Sequence, residues 1–435
     1  MSRSAVPASF RPGLGSALFL VVMLGAAGIT MLRMVVAASF LPVQDFGTYA
    51  TIAATGAFLS SILSFGTIEG TIKNFPRMVG AGQGGELLRE SHHIMRRLLL
   101  RAAAVGIPVY AAGLLLDLDW LRLSGLGFFF ALSTAYTLVL ASMQRASGTS
   151  ATLAAGTILR SGSVFVAVAA AAYFGDLTIL LITEIATTIV ACLLSEWLYF
   201  RRGRAPAPAR LPVPPVPVPP VSGSTGDGVR LFLTYSLISA PFYLDRLFVT
   251  STMGREEGAR YAILALFLTG ASLIVNTLAQ RSGPEAIRLV QRDGDHRAAT
   301  RLIATWVGIS IMIWLAAIGT VAAIIASGFL PESLERYAIA PHLLVPLAVT
   351  GVLLNNGLVE FLLLALDRER QMLRAAICFA TAVFVAACAV AVCRWGLVEF
   401  MWALVACRVI YLALLVAALP TGRDAATKAG TGSRA

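Results

Sequence analysis

From position 14 onward, long apolar runs follow one another with only short polar joints between them. Each run reaches the ~20 residues that an α-helix needs to cross a ~30 Å hydrocarbon core. The pattern predicts twelve spans, near 14–40, 47–72, 98–117, 123–143, 151–174, 177–199, 230–253, 260–281, 302–328, 338–366, 372–393 and 397–419. The fold class is therefore an all-α polytopic membrane protein with about twelve transmembrane helices. Composition agrees: 57% of residues are hydrophobic and 13% charged, with a mean hydropathy of +0.79, whereas soluble domains carry about 25% charged residues.

A net charge of +11 would suggest nucleic acid in a soluble protein, but here topology accounts for it. Of the 34 lysines and arginines, 25 fall in the termini, the even-numbered connections and the helix ends beside them, 5 in the opposite connections and 4 inside spans. The positive-inside rule then places both termini and the basic connections in the cytoplasm. The first apolar run continues beyond the ~7–15 residues of a signal-peptide core, so it is read as a retained span. Five cysteines lie in spans or at their ends, without a CxxC pair or a metal-like spacing. They read as small apolar packing residues, and no metal or other cofactor is expected.

The chain also reads as two halves. Residues 201–229 include a stretch in which eight of the fifteen residues from Pro206 to Pro220 are proline, which favours extended polyproline II. This predicts an N-terminal six-helix lobe over 1–200, a cytoplasmic linker over 201–229, a C-terminal six-helix lobe over 230–420 and a disordered tail over 421–435. The first hairpin of each half carries the same small motif, "QDFGTYA" at 44 and "EEGARYA" at 256, with Tyr49 and Tyr261 separated by 212 positions. Because six is even, both halves enter the membrane in the same sense, and the repeat is parallel about a pseudo-twofold axis along the membrane normal. Such repeats mark transporters, with sites where the halves meet. Locally the motif reads as a turn in which Asp45 caps the next helix, Gly47 permits the bend and Tyr49 sits at the membrane interface.

The segments "MVVAASFLPVQDFGTYATIAATGAFLSSILSFGTIEGTIKNFPRMVGAG" and "YSLISAPFYLDRLFVTSTMGREEGARYAILALFLTGASLIVNTLAQRSGPEAIRLV" resemble the starts of the two lobes of Wzx-type oligosaccharide flippases. These belong to the multidrug/oligosaccharidyl-lipid/polysaccharide exporter superfamily. The resemblance implies a V-shaped pair of bundles around a polar cavity in a bacterial inner membrane. It also implies export of a polyprenyl-diphosphate-linked glycan to the outer leaflet, alongside other membrane proteins of polysaccharide assembly. Two departures stand out, a long proline-rich linker and twelve spans instead of the fourteen of the lipid II flippase branch. Multidrug exporters share the superfamily, and fold alone does not separate the two functions.

Ionisable residues inside spans are costly and mark functional sites by default. Arg408 lies about 17 Å from the outer end of the last span, and Arg160 about 14 Å from the inner end of the fifth. Arg33 and Arg246 sit in the outer halves of spans one and seven. The four arginines are candidate ligands for an anionic headgroup, although arginines near helix ends also snorkel or pair with an acid. Asp245, which follows Pro241 in a span expected to be broken, and Glu360 and Glu184 are candidates for binding a coupling ion. Glu184 is placed to reach the neighbourhood of Arg160. Asn356 shares a helix face with Glu360, and Asn276 with Gln280.

An embedded polysaccharide polymerase or transferase is the enzymatic alternative. Short outer connections and four histidines that do not cluster in sequence argue against it, and His92 and His93 read as a solvated basic face. No GxxxxGK[ST] phosphate loop is present, so no catalytic residue is assigned.

Overall fold

A computed structural model describes residues 14–80, 86–146, 150–202, 225–293, 295–329, 332–337, 339–366 and 368–419. The linker of 203–224 and the tail lie outside them. Among the described residues the chain is helical with no strand, in sixteen α-helices. Eleven of these segments are long and apolar enough to cross a membrane. The seventh predicted span is not among the eleven, and it is divided into two helices.

The first six spans are α1 (Leu14–Phe40), α2 and α3 (Val43–Ser64 and Thr67–Gly80), α4 (Glu86–Leu115), α5 (Asp119–Ala146), α6 (Ser150–Ala172) and α7 (Leu177–Arg202). The second six are α8 and α9 (Thr225–Tyr243 and Asp245–Met253), α10 (Arg255–Asp293), α11 (His296–Ala326), α13 and α14 (Leu344–Leu353 and Asn356–Ala365), α15 (Glu369–Cys393) and α16 (Leu397–Ala417). The short α12 (Glu332–Glu335) lies between α11 and α13. The two groups form two lobes.

Three spans are interrupted, each for a local reason. In the second, Phe65 and Gly66 both take left-handed backbone (φ 47° and 80°), natural for glycine and unfavourable for phenylalanine. In the seventh, Pro241 lacks an N–H, and three residues later the axis changes at Leu244. Two backbone bonds flank that joint, Leu244 N–H donating to Ala240 O at 2.8 Å and Phe248 N–H to Leu244 O at 2.9 Å. In the tenth, the side chain of Asn355 donates to Val352 O at 2.9 Å between α13 and α14.

The repeated motif is not a turn. α2 already begins at Val43, with Pro42 at its N-cap and no side-chain cap, so Asp45 lies within the first helical turn instead of capping it. Tyr49 is buried at 0% exposure and Tyr261 at 1%, not at the membrane interface. Gly47 serves helix contact: a side-chain carbon added there would lie 3.4 Å from Cβ of Ala259. Ala259 is 212 positions from Gly47, the offset of the repeat. A residue that touches its own equivalent lies on the twofold axis, so the axis runs between these two helices. Ala37, Ala38 and Ala50 pack into one core with Ala259 and Ala262, small residues that let helices of different lobes approach closely.

A second contact closes the same end. Arg336, just beyond α12, donates to the backbone oxygens of Ala38 and Leu41 at the end of α1. Tyr337 OH donates to Ala38 O at 3.0 Å, and its ring meets Phe46 edge-on at 5.7 Å. Burial raises the Tyr337 phenol above its ordinary pKa, with Arg336 acting in the opposite sense. Of the five cysteines, Cys192 and Cys407 are buried as expected, whereas Cys378, Cys388 and Cys393 are exposed and do not pack.

The axial contact predicts a cross-link. With the native cysteines replaced by alanine, Gly47→Cys combined with Ala259→Cys will form an intramolecular disulfide under mild oxidant, the Cβ separation being close to the ~3.5–4.5 Å required. Mass spectrometry of the digested protein reads it directly, and absence of the bond would refute this placement of the lobes.

Candidate functional site

Each cluster of charged residues within the spans draws its members from a single lobe. In the first lobe, Arg33 of α1 forms a direct ion pair with Glu184 of α7. The other oxygen of Glu184 accepts a 2.5 Å hydrogen bond from Tyr49 OH of α2. The carboxylate is 2% exposed and the guanidinium 17%, so two opposite charges and a phenol close on one another almost out of contact with solvent. Arg33 Nε alone is buried without a partner.

In the second lobe, Tyr261 of α10 donates to Oδ2 of Asp245 at 2.5 Å. Oδ1 of the same carboxylate accepts the Arg246 N–H at 2.7 Å, at the start of α9. The break after Pro241 is what makes this possible, because it places a new helix N-terminus, with its free N–H groups, beside the acid. Arg246 Nη2 donates to Thr269 at 3.3 Å, while its Nε is buried and unpartnered.

Asp245 and Arg33 are also 212 positions apart. At this one repeat position the two lobes carry opposite charges, a cation in the first and an anion in the second. In each, the repeated tyrosine of the second span holds a carboxylate. In the first lobe the first span supplies the cation and the last the anion. In the second lobe the first span supplies the anion, and the last carries Arg408.

Arg408 is 7% exposed and makes no direct ion pair among the described residues. Its guanidinium lies 5.8 Å from the ring centres of Phe242 and of Phe379. It is within electrostatic reach of both Asp245 and Glu360. Glu360 in turn accepts from Tyr411 OH at 3.0 Å. Asn356 is buried on the same helix as Glu360. Asn276 is exposed, donates to Ser272 at 3.4 Å and builds no polar site, while the side chain of Gln280 lies outside the description.

Arg160 differs from the other three. It is 5% exposed, and its hydrogen bonds run to neutral groups: Gln144 Oε1 of α5 at 3.4 Å, Ser195 Oγ of α7 at 3.2 Å and Thr157 Oγ1 at 3.2 Å. The expected approach of Glu184 does not occur, because Arg33 and Tyr49 hold that acid elsewhere in the lobe. Next to Gln144 is Arg145, whose Nε is buried and unpartnered. Sequence reading passed over Arg145 as a helix-end basic residue. Nearby, Glu196 is shared at 2.5 Å each by Tyr136 OH and by His92 Nε2, so His92 touches a buried acid although its side chain is 60% exposed. Among the described residues no cluster of three or more His, Cys, Asp or Glu is arranged to hold a metal ion.

No protein-family model matches the chain, and no curated protein sequence matches it. Solved structures do. The chain is similar to an inward-facing multidrug resistance MATE family transporter of the MOP superfamily, at a TM-score of 0.63 and 12% identity over 92% of this chain and 97% of that one. An outward-facing MATE transporter of the same superfamily matches at 0.59 and 15% identity, over 92% and 96%. A MOP superfamily transporter from Pyrococcus furiosus, described as having a binding pocket of reverse polarity, matches at 0.58 and 15% identity, also over 92% and 96%. At these identities the likeness establishes the fold. It is a multi-pass helical membrane fold of two six-helix lobes, shared with these transporters.

The Arg33–Glu184–Tyr49 group makes a quantitative prediction. Removing one member of a buried ion pair leaves the other uncompensated, so Glu184→Gln will lower stability by about 3–5 kcal/mol. Tyr49→Phe, which removes one hydrogen bond, will cost about 1–3 kcal/mol. The double variant Arg33→Met/Glu184→Leu will recover most of the Glu184→Gln loss. Unfolding of the detergent-solubilised protein measures all three, and a milder effect for Glu184→Gln than for Tyr49→Phe would contradict the arrangement.

Proposed function

We propose that the chain is a flippase moving a polyprenyl-diphosphate-linked oligosaccharide from the cytoplasmic to the outer leaflet of a bacterial inner membrane, by alternating access. One observation carries this reading. Arg160 is buried among neutral hydrogen-bonding groups and pairs with no carboxylate among the described residues. A diphosphate would supply the missing charge and accept paired guanidinium hydrogen bonds. With the basic connections on the cytoplasmic side, Arg160 and Arg145 stand in the inner half of the first lobe, where the headgroup of an inner-leaflet lipid arrives. Arg408 lies against two aromatic rings, makes no direct ion pair among the described residues and offers a second cation in the other lobe. Arg33 and Arg246 are already engaged, by Glu184 and by Thr269, and contribute structure first.

Energetics suit this direction. Moving negative charge outward from a negative-inside cell releases about 2.3 kcal/mol per charge per 100 mV. The obstacle is the barrier of taking a diphosphate through hydrocarbon, and buried guanidinium groups lower it. Asp245, Glu360 and Glu184 each hold a tyrosine hydroxyl, and proton or sodium exchange at these carboxylates would reset the empty carrier. The second reading is export of small molecules, favoured by the multidrug transporters among the similar structures.

Deletion of the gene, followed by leaflet-resolved analysis of lipid-linked oligosaccharide, separates these readings. A flippase leaves the glycolipid on the cytoplasmic face, and a drug exporter leaves its distribution unchanged while altering drug sensitivity. At normal expression Arg160→Ala and Arg408→Ala will abolish export, and full activity in both would remove the two cations from the transport path.

A further inference from the structure

The end of the second lobe that carries the repeated motif holds a cleft of about 780 Å³, within the ~300–1,000 Å³ of small-molecule sites. Its walls are the α9–α10 joint, the segment entering α13 and the α15–α16 joint. The chemistry comes from Glu257, Arg260, His342, Arg394, Trp395 and Glu399. Two of these are committed within the protein, Arg260 pairing with Glu257 at 2.7 Å and donating through Nε to Tyr337 O at 3.1 Å. The side chains of His342, Arg394 and Glu399 have no protein partner among the described residues.

Two backbone features hold this set open. Arg394 ends α15 in left-handed conformation (φ 52°, ψ 42°), where glycine is the usual residue, while Trp395 N–H closes the helix on Val390 O at 3.0 Å. A guanidinium is thus kept at a position whose backbone favours its removal. Gly396 leaves space for the acid, since a side-chain carbon there would lie 3.1 Å from Oε2 of Glu399. Trp395 is 43% exposed beside them.

The mixture of groups discriminates among ligands. Two carboxylates disfavour a simple anion, two guanidinium groups disfavour a simple cation, and so many ionisable side chains disfavour an apolar drug. A sugar ring has an apolar C–H face for the indole and hydroxyls that both donate and accept around its edge. We propose that this cleft binds a saccharide unit, Trp395 stacking on the ring while Glu399 accepts from, and Arg394 donates to, its hydroxyls. The proposal rests on the flippase reading for its purpose, which is to receive the glycan on the outer side once it has crossed.

Saturation-transfer NMR on the full chain in nanodiscs tests it, with cellobiose, N,N′-diacetylchitobiose and a glucuronic-acid disaccharide as probes. At least one will bind, and Trp395→Ala, Glu399→Gln and Arg394→Gly will each weaken it about tenfold or more. Arg394→Gly guards against misfolding, because glycine suits that backbone and its melting temperature should not fall. Absence of binding by all three probes, binding unchanged in the variants, or displacement of the sugar by inorganic phosphate would overturn the assignment. Saccharide binding without glycolipid export would sink the flippase reading alone, and export without saccharide binding would sink the cleft alone.

Discussion

Hydrocarbon offers no hydrogen bonds, and most of what distinguishes this structure follows from that constraint. Each charge that enters the spans has to bring or find its compensation within the protein. Glu184 finds Arg33 and Tyr49 on two other helices, and Asp245 finds Tyr261 and a helix start. Arg408 lies against aromatic rings within reach of two acids. These groups tie the first, second and last spans of each lobe together at depth, so each lobe can act as a unit. Arg160 has no acid to complete it among the described residues, which is why it bears the weight of the functional reading.

The exchange of charges between lobes gives the repeat a second meaning. Backbone geometry is duplicated, and so is the tyrosine that grips a carboxylate. The positions of cation and anion are not. At the matching position of the first span, one lobe carries Arg33 and the other Asp245.

Much of the fold was legible in the sequence because span length and loop charge are one-dimensional signals. So was the parallel repeat, through the shared motif and its offset. The break at Pro241 and the presence of Arg33, Asp245, Glu360 and Arg408 inside spans were equally plain. The pairings were not, since Tyr49 and Glu184 are 135 residues apart and nothing in their own helices sets the rotation that joins them. Tyr49 was misplaced at the membrane interface because a tyrosine near a helix end obeys the same rule whether or not a buried acid awaits it. The matching tyrosine 212 residues later was the signal available. Arg145 was hidden by the positive-inside rule itself, which explains a basic residue at an inner helix end without asking what lies around it.

The contact between Gly47 and Ala259 carries a consequence for how the two lobes can vary. Away from the axis, a side chain meets a different residue, and the fit at each site is a separate matter. On the axis, a residue and its own copy share one space. What is fixed there is their combined volume, so bulk gained on one side has to be given up on the other. This contact therefore couples two positions in different halves of the chain as though they were one residue.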